Sequence, residues 1–409
     1  MQYFIGYSSF SDEAPFDPSL FVDFRKRLGI EQVDKINNLI LGLLPQLDIN
    51  SIQAEKPENR ASDNHKPDSS EGGGNPPKEI ITHFGDMISD ATACPQDIAY
   101  PTDLNLLNDA REKTELLIDV LYDKKLHTKK PRTDRPKARK EYLKTAQKKV
   151  KTKKDIYKAN KKQLAYLKRN ITAIHKLLDH YNTIPLNKVE YKYLLVVQCL
   201  YNQQHEMFKT GTHSIDNRIV SIHQPHVRPI VRGKTNAKVE FGAKIIVTMM
   251  NGFAFLDDLE WEAYNEGTRL MSSVEKYKER FGFYPKRVLV DKIYCNKINR
   301  AALKLLRITL RAKPLGRPKA VDEKHVSPGD RNPIEGKFGQ AKTRYGLNRI
   351  KARLQATSQS WIASIILVLN LVKLAGEALL WQIKTINFYL KHKNTIKMQN
   401  PLSYQLLVA

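Results

Sequence analysis

The chain has 409 residues, with 68 Lys and Arg against 43 Asp and Glu, a net charge of +25 and a pI near 9.7. That length can bury a large core, and a balance so basic argues for a polyanionic partner, most simply nucleic acid. Cys94, Cys199 and Cys295 stand far apart without metal-ligand spacing, which argues against a disulfide framework and for a reducing, cytoplasmic compartment.

The charge is clustered. Residues 123–170 hold 20 Lys and Arg against 4 acids, whereas residues 1–80 hold 8 bases against 13 acids. The opening residues lack a basic run followed by an apolar one, so no signal peptide is expected. Ser19 is a candidate N-cap, and Phe21, Phe24 and Leu28 keep helical spacing behind it. A second helix is expected over 31–44. Residues 51–78, rich in Pro, Gly, Ser and charge, read as a flexible linker.

A strand is expected over 80–92 (IITHFGDMISDAT), and Thr102 or Asp103 caps a helix over 104–121. In the basic stretch, Tyr142, Leu143, Val150, Ile156, Tyr157, Leu164, Tyr166, Leu167, Ile171 and Ile174 recur at helical spacings. They predict one long or two consecutive helices, with more helix to about residue 207. The period then shortens. IVSIHQPHVRPIVRGK, VEFGAKIIVTMMNG and FAFLDDLEW are short β-rich runs bounded by Gly and Pro. Helices are expected over 265–281 and 297–306, and short strands over 287–290 and 307–310. A Pro/Gly loop, KPLGRPK, precedes an amphipathic helix over 331–350 and an apolar helix over 361–380. Asn370, Lys373 and Glu377 interrupt the last, which therefore reads as a core helix, with no membrane association expected. There is no internal repeat. The order predicts an α/β fold: a mixed sheet flanked by helices, with a large basic α-helical insertion between the first and second strands.

Two acids end predicted strands: Asp90, and Asp291 directly after RVLV. Functional groups gather at the carboxyl ends of strands in such sheets. Glu335 sits on the helix from Arg331, and at 100° per residue Arg331, Glu335 and Lys342 fall within about 40° of one another. Three converging carboxylates repel one another unless a cation lies between them, and they suit one or two Mg²⁺ ions. Spacing alone leaves rivals. Asp86 and Asp97 compete for the first position, and Asp257 and Asp258 for the second. Asp90 also reads as a turn residue, Asp291 as an N-cap, and Glu335 as a surface partner of Arg331.

The strings YPTDLNLLNDAREKTE, RIVSIHQPHVRPIVRGK, VEFGAKI, AYNEG, DKIYCNKINR, PLGRPK and RNPIEGKFGQAKTRYGLNRI are similar to DDE insertion-sequence transposases of the "IS five" group, within the "IS four" superfamily. The resemblance runs collinearly over nearly the whole chain. It implies an RNase H-like catalytic domain formed by residues 80–102 and 211–390, with 103–210 inserted. Residues 1–50 would be part of an N-terminal helical DNA-binding region, 51–79 a linker and 391–409 a tail. It implies a catalytic, metal-holding triad of Asp90 in its DAT segment, Asp291 in DKIY and Glu335 in RNPIEGKFG. Two Mg²⁺ or Mn²⁺ ions would sit there. Arg331 and Lys342 would clamp phosphate, with Lys337, Arg344 and Lys292 as further DNA contacts. The partners implied are double-stranded DNA, as terminal inverted repeats and target, and a second copy of the chain in a nucleoid-associated homodimer.

Two departures stand out. The superfamily signature Y-(2)-R-(3)-E-(6)-K is matched at Arg331, Glu335 and Lys342, but Pro328 stands where the Tyr falls. Relatives also carry further residues before a segment like MQYFIGYSSF, so the resemblance implies a start inside the N-terminal region. A non-catalytic DNA-binding relic and a nuclease without strand transfer are the alternatives. The basic segment 124–169, with Tyr142, Tyr157 and Tyr166 interleaved, reads as a sequence-independent DNA clamp or as a helical hairpin with its aromatics packed inward. His223 and His226 read as structural or substrate-proximal, not as metal ligands. PLGRPK reads as a minor-groove hook or a plain loop.

Overall fold

In the computed structural model, residues 17, 19–41, 82–231, 239–312 and 328–399 are described. The opening MQYFIGYSSF, the linker over 51–79 and the PLGRPK loop lie outside them. In chain order the helices are α1 (Leu20–Arg27), α2 (Ile30–Leu41), α3 (Asp103–Leu121), α4 (Arg135–Ala146), α5 (Lys153–Leu178), α6 (Lys188–Thr210), α7 (Leu270–Phe281), α8 (Lys297–Leu305), α9 (Asn332–Arg344) and α10 (Gln355–Gln399). The strands are β1 (Asp86–Pro95), β2 (Arg228–Val231), β3 (Val239–Met250), β4 (Phe253–Glu260), β5 (Arg287–Leu289) and β6 (Thr309–Arg311).

The strands form one mixed sheet in the order β2-β3-β1-β5-β6, with β4 pairing the edge of β3 that β2 leaves open. β1 runs antiparallel to β3 and parallel to β5, which is parallel to β6. The β3–β4 turn is Asn251-Gly252, with φ of 50° and 80°. Two successive positive φ values are what a tight hairpin with native twist requires, and Asn-Gly supplies them at least cost. β1 starts later than the period suggested, because Gly85 takes a φ of +72° just before it. It also runs on to Pro95, since the small side chains of Ala93 and Cys94 pair closely with Lys244 and Ala243.

Each face of the sheet is covered. On one, Ile334 and Ala341 of α9 and Ile362, Ile365, Ile366 and Leu369 of α10 pack against Cys94, Ile245, Val247 and Met249. On the other, Val274, Tyr277 and Phe281 of α7 and Leu303 of α8 pack against Met87, Phe255 and Val288. The period of two along β1 thus puts Ile88, Asp90 and Cys94 on the α9 side and Met87 on the α7 side.

Three elements differ from the spacing-based reading. Among the described residues of the run over 219–234, strand forms only at β2, while Ile219, Val220 and Ile222 are buried as loop. The helix expected over 331–350 ends at Arg344, because the chain turns to bury Leu347 and Ile350 and the Ile350 N–H donates to the Pro95 carbonyl at 2.8 Å. The core helix is longer than 361–380 and takes in residues 391–399 of the expected tail. Residues 355–377 within it are long and apolar enough to cross a membrane by length and composition. Asn370 explains its place here. Its side chain accepts from the Ala254 N–H at 2.8 Å and donates to the Ala254 carbonyl and Asn37 Oδ1, both at 2.7 Å. A polar side chain bonded on both edges holds α10 and α2 to β4.

Four helices, α3 to α6, stand between β1 and β2. Leu106, Leu107 and Ala110 of α3 meet Leu164, Leu167 and Ile171 of α5 and Val197 and Leu200 of α6. A second cluster joins Leu117, Ile118 and Leu121 to Ile174, Leu177 and Leu194. Three of the four helix starts are capped by side chains, and at α4 Asp134 makes no capping bond. Thr102 Oγ1 accepts from the Asn105 N–H, and Thr152–Asp155 and Asn187–Glu190 are capping boxes. The basic run is two helices, α4 and α5, rather than one.

Candidate active site

β1 and β5 pair Ile88 with Leu289, so two residues further on Asp90 and Asp291 come side by side. Asp291 lies just past the end of β5, whereas Asp90, expected at a strand end, lies in the middle of β1, which runs on to Pro95. Arg331, at the start of α9, joins them. Its Nη2 donates to Asp90 Oδ2 at 2.9 Å and its Nη1 lies 3.2 Å from Asp291 Oδ1. The side chains of Arg331 and Asp90 are 14% and 18% exposed, that of Asp291 49%. The α9 helix can deliver Arg331 there because Ile334 and Ala341, fully buried on one face, fix it against the sheet.

Burial pushes the Asp90 carboxyl above its usual range. The Arg331 guanidinium and the Ala91 N–H oppose this, while the negative charges of Glu266 and Asp291 add to it. Asp90 is therefore a carboxylate that needs a cation beside it. Asp90 Oδ1 accepts from the Ala91 N–H at 2.9 Å and Oδ2 faces Arg331, so both oxygens are engaged.

The rival acids have other partners. Asp86 makes a two-pronged pair with Arg287, Asp97 pairs with Arg349 at 2.9 Å, and buried Asp257 pairs with Arg280 at 3.2 Å and accepts from Thr248. Asp258 lies 3.7 Å from Arg269.

Glu335 is exposed one turn after Arg331, and Arg331 is directed to the two aspartates rather than to it. Among the described residues, no three His, Cys, Asp or Glu side chains stand close enough together to hold a metal ion. Lys292 is exposed and opens the short turn Lys292–Tyr294 directly after Asp291. Lys342 is half-buried and Arg344 exposed on α9. Lys337 is half-buried too, and its pKa is lowered by burial and then by the charge of Lys373 of α10.

Glu266 is a site neighbour that spacing did not reveal. It opens the short turn Glu266–Thr268 and pairs with Lys244 of β3 at 2.8 Å. AYNEG carries no helical or strand period, so only the fold brings it near Asp90.

His226 packs edge-on against Trp261 at 4.4 Å, and burial pushes its pKa down to about 4. His223 Nδ1 lies 2.9 Å from the Tyr193 hydroxyl. Neither joins a metal-binding cluster among the described residues.

The helical region carries a second feature. Of the 20 bases over 123–170, Lys130, Arg132, Arg135, Lys148, Lys162 and Arg169 are ion-paired among the described residues. A groove of about 720 Å³ is lined by His127, Lys129, Arg132, Lys168, Arg169 and Lys176, among others. The tyrosines are used within the fold. Tyr142 donates to Asn105 and Tyr166 to Glu141, both at 3.2 Å, and Tyr157 stacks on Phe208 at 4.7 Å.

No curated protein and no solved structure matched the chain. Asp90 lies outside the one stretch for which a family is found. That stretch, residues 288–372, contains Asp291, Arg331, Glu335 and Lys342, and it matches the family model of a transposase DDE domain.

Proposed function

We propose that the chain is a transposase of the insertion-sequence DDE type, in which Asp90, Asp291 and Glu335 form the acidic centre. The observation that carries the reading is the Asp90–Arg331–Asp291 bridge, which joins the middle of β1 to the residue just past the end of β5. The antiparallel β4-β3-β1 run followed by parallel β5 and β6 supports an RNase H-like reading of the sheet. The DDE-domain match over 288–372 supports the transposase reading and DNA as substrate.

The donor chemistry fits a divalent cation. Two carboxylates already share one positive group, and Mg²⁺ is commonly held by one or two carboxylates completed by water and substrate phosphates. When bound, such ions supply the charge and Lewis acidity that phosphodiester displacement needs at the attacking and leaving oxygens. Asp90 and Asp291 would hold them, with Glu335 as third ligand. Arg331, a planar fork already at the site, would turn from carboxylate to phosphate when DNA enters. Lys292 and Arg344 are exposed and suit backbone contacts, as does Lys342. Two copies would pair the two ends of an element in a homodimer.

The test is incubation of the purified chain with Mg²⁺ and a duplex carrying the element's terminal repeats. Cleavage followed by joining to target DNA is expected. Cleavage without joining would mark a nuclease, and binding without cleavage a relic.

The basic groove between the 127–132 segment and α5 suits the DNA backbone. Replacing Lys129, Lys168 and Lys176 together by Gln is expected to lower the slope of log affinity against log salt by up to about 3. An unchanged slope would take the groove out of the DNA path.

A further inference from the structure

A pocket of about 350 Å³ opens between the first half of α5, the end of α6 and the loop that follows it. Leu107, Ile156, Leu164 and Met207 give it an apolar lining. Tyr157 and Phe208 line it too, stacked with ring centroids 4.7 Å apart and planes at 21°, and the stack leaves Tyr157 54% exposed. Asn160 lines the same pocket, and its buried Oδ1 has no hydrogen-bond partner. Asp103 and Gln204, by contrast, bond each other across the pocket lining at 3.2 Å. A buried amide oxygen without a donor is costly, so one kept beside a pocket calls for a partner that enters it. Aromatic rings, apolar walls and one unsatisfied amide suit a planar heterocycle with donors and acceptors on its edge, and a nucleobase is such a group.

The charge around the pocket indicates what carries the heterocycle. Lys153 is part of the lining. Lys154, Lys161 and Lys168 are exposed and recur every seven residues, so they form one row along about 21 Å of α5. Lys168 lines the basic groove, and Lys154 adjoins Lys153 at the pocket. The row therefore leads from the groove to the pocket, and the phosphates of one strand can follow it.

We propose that this pocket takes one nucleobase turned out of a DNA strand whose backbone follows the lysine row of α5. The base lies against the Tyr157–Phe208 stack, and Asn160 bonds its edge. The inference rests on the reading of DNA as the substrate and of the basic groove as its path. Stacking one base on an aromatic side chain is commonly worth about 5–150-fold in affinity.

The experiment measures affinity of the full chain, by fluorescence anisotropy at one fixed salt concentration, for three duplexes of the same sequence. One is fully paired, one carries a single bulged adenine, and one has an abasic site in place of that adenine. Adenine is the probe because an Asn amide matches the donor and acceptor on its edge. The wild type is expected to bind the adenine bulge roughly tenfold more tightly than the abasic bulge. Tyr157→Ala and Asn160→Ala are expected to lose that preference and to keep the wild-type Tm and affinity for the paired duplex. Lys168→Gln is expected to weaken binding to all three duplexes alike and to keep the preference. Tyr157 packs on Phe208, so if Tyr157→Ala lowers Tm the decision falls to Asn160→Ala, which removes no ring contact. Equal affinity of the wild type for the adenine and abasic bulges would overturn the proposal, as would a preference that survives in Asn160→Ala. Failure of the wild type to bind any of the three duplexes would instead overturn the reading of DNA as the substrate.

Discussion

Asp291→Asn is expected to abolish Mg²⁺-dependent cleavage of a terminal-repeat duplex, by at least about a hundredfold, while DNA binding persists. The substitution keeps the shape of the side chain and removes its charge. Asp291 is half-exposed and, among the described residues, its side chain is bonded to Arg331 alone, at 3.2 Å, so little packing depends on it. Arg331 keeps its bond to Asp90 in the variant. Loss of cleavage with unchanged Tm and unchanged gel-shift affinity would separate the chemical role from folding. Asp90 is the poorer choice for this test, because its carboxylate is mostly buried and also accepts from the Ala91 N–H. Full cleavage by Asp291→Asn would remove Asp291 from the site.

Much of the sheet was legible because its strands carry their own signals. VEFGAKIIVTMM and FAFLDDLE flank an Asn-Gly turn, and RVL ends in an acid at a position where parallel strands present functional groups. The placing of Asp291 needed only that local pattern. The choice of Asp90 over Asp86 and Asp97 did not follow from spacing. Pairing partners support it, since Arg287 and Arg349 take the other two acids while Arg331 takes Asp90 together with Asp291. Such pairings join residues more than 200 positions apart, and no period encodes them. The same holds for Glu266, whose charge bears on Asp90 only in the fold, where its turn pairs with Lys244 of β3. Where the period misled, a tertiary contact won. The helix from Arg331 stops at Arg344 because Leu347 and Ile350 gain more by burial under β1 than one further helical turn would return.

Arg111→Met is expected to destabilise the α3–α6 helices by about 3–5 kcal/mol, the cost of leaving a buried charge without its partner. Arg111 is 1% exposed at the centre of α3. Its Nε donates to Gln163 of α5 at 3.2 Å, Nη1 to Glu115 at 2.5 Å, and Nη2 to Asn108 at 2.7 Å and Glu112 at 3.2 Å. Burial already pushes the Glu115 carboxyl up against the pull of Arg111 and Arg135. Without Arg111, Glu115 keeps, among the described residues, Arg135 alone, 3.6 Å away. The sequence offers no warning, because a base in NDAREKTE looks like one more solvated charge in a basic chain. Urea unfolding followed by circular dichroism gives the loss, and a double-mutant cycle gives its cause. Arg111→Met combined with Glu115→Leu replaces a broken ion pair by apolar side chains and is expected to recover most of the stability. If the double variant is no more stable than Arg111→Met alone, the penalty lies in lost packing of the arginine stem and not in the stranded carboxylate.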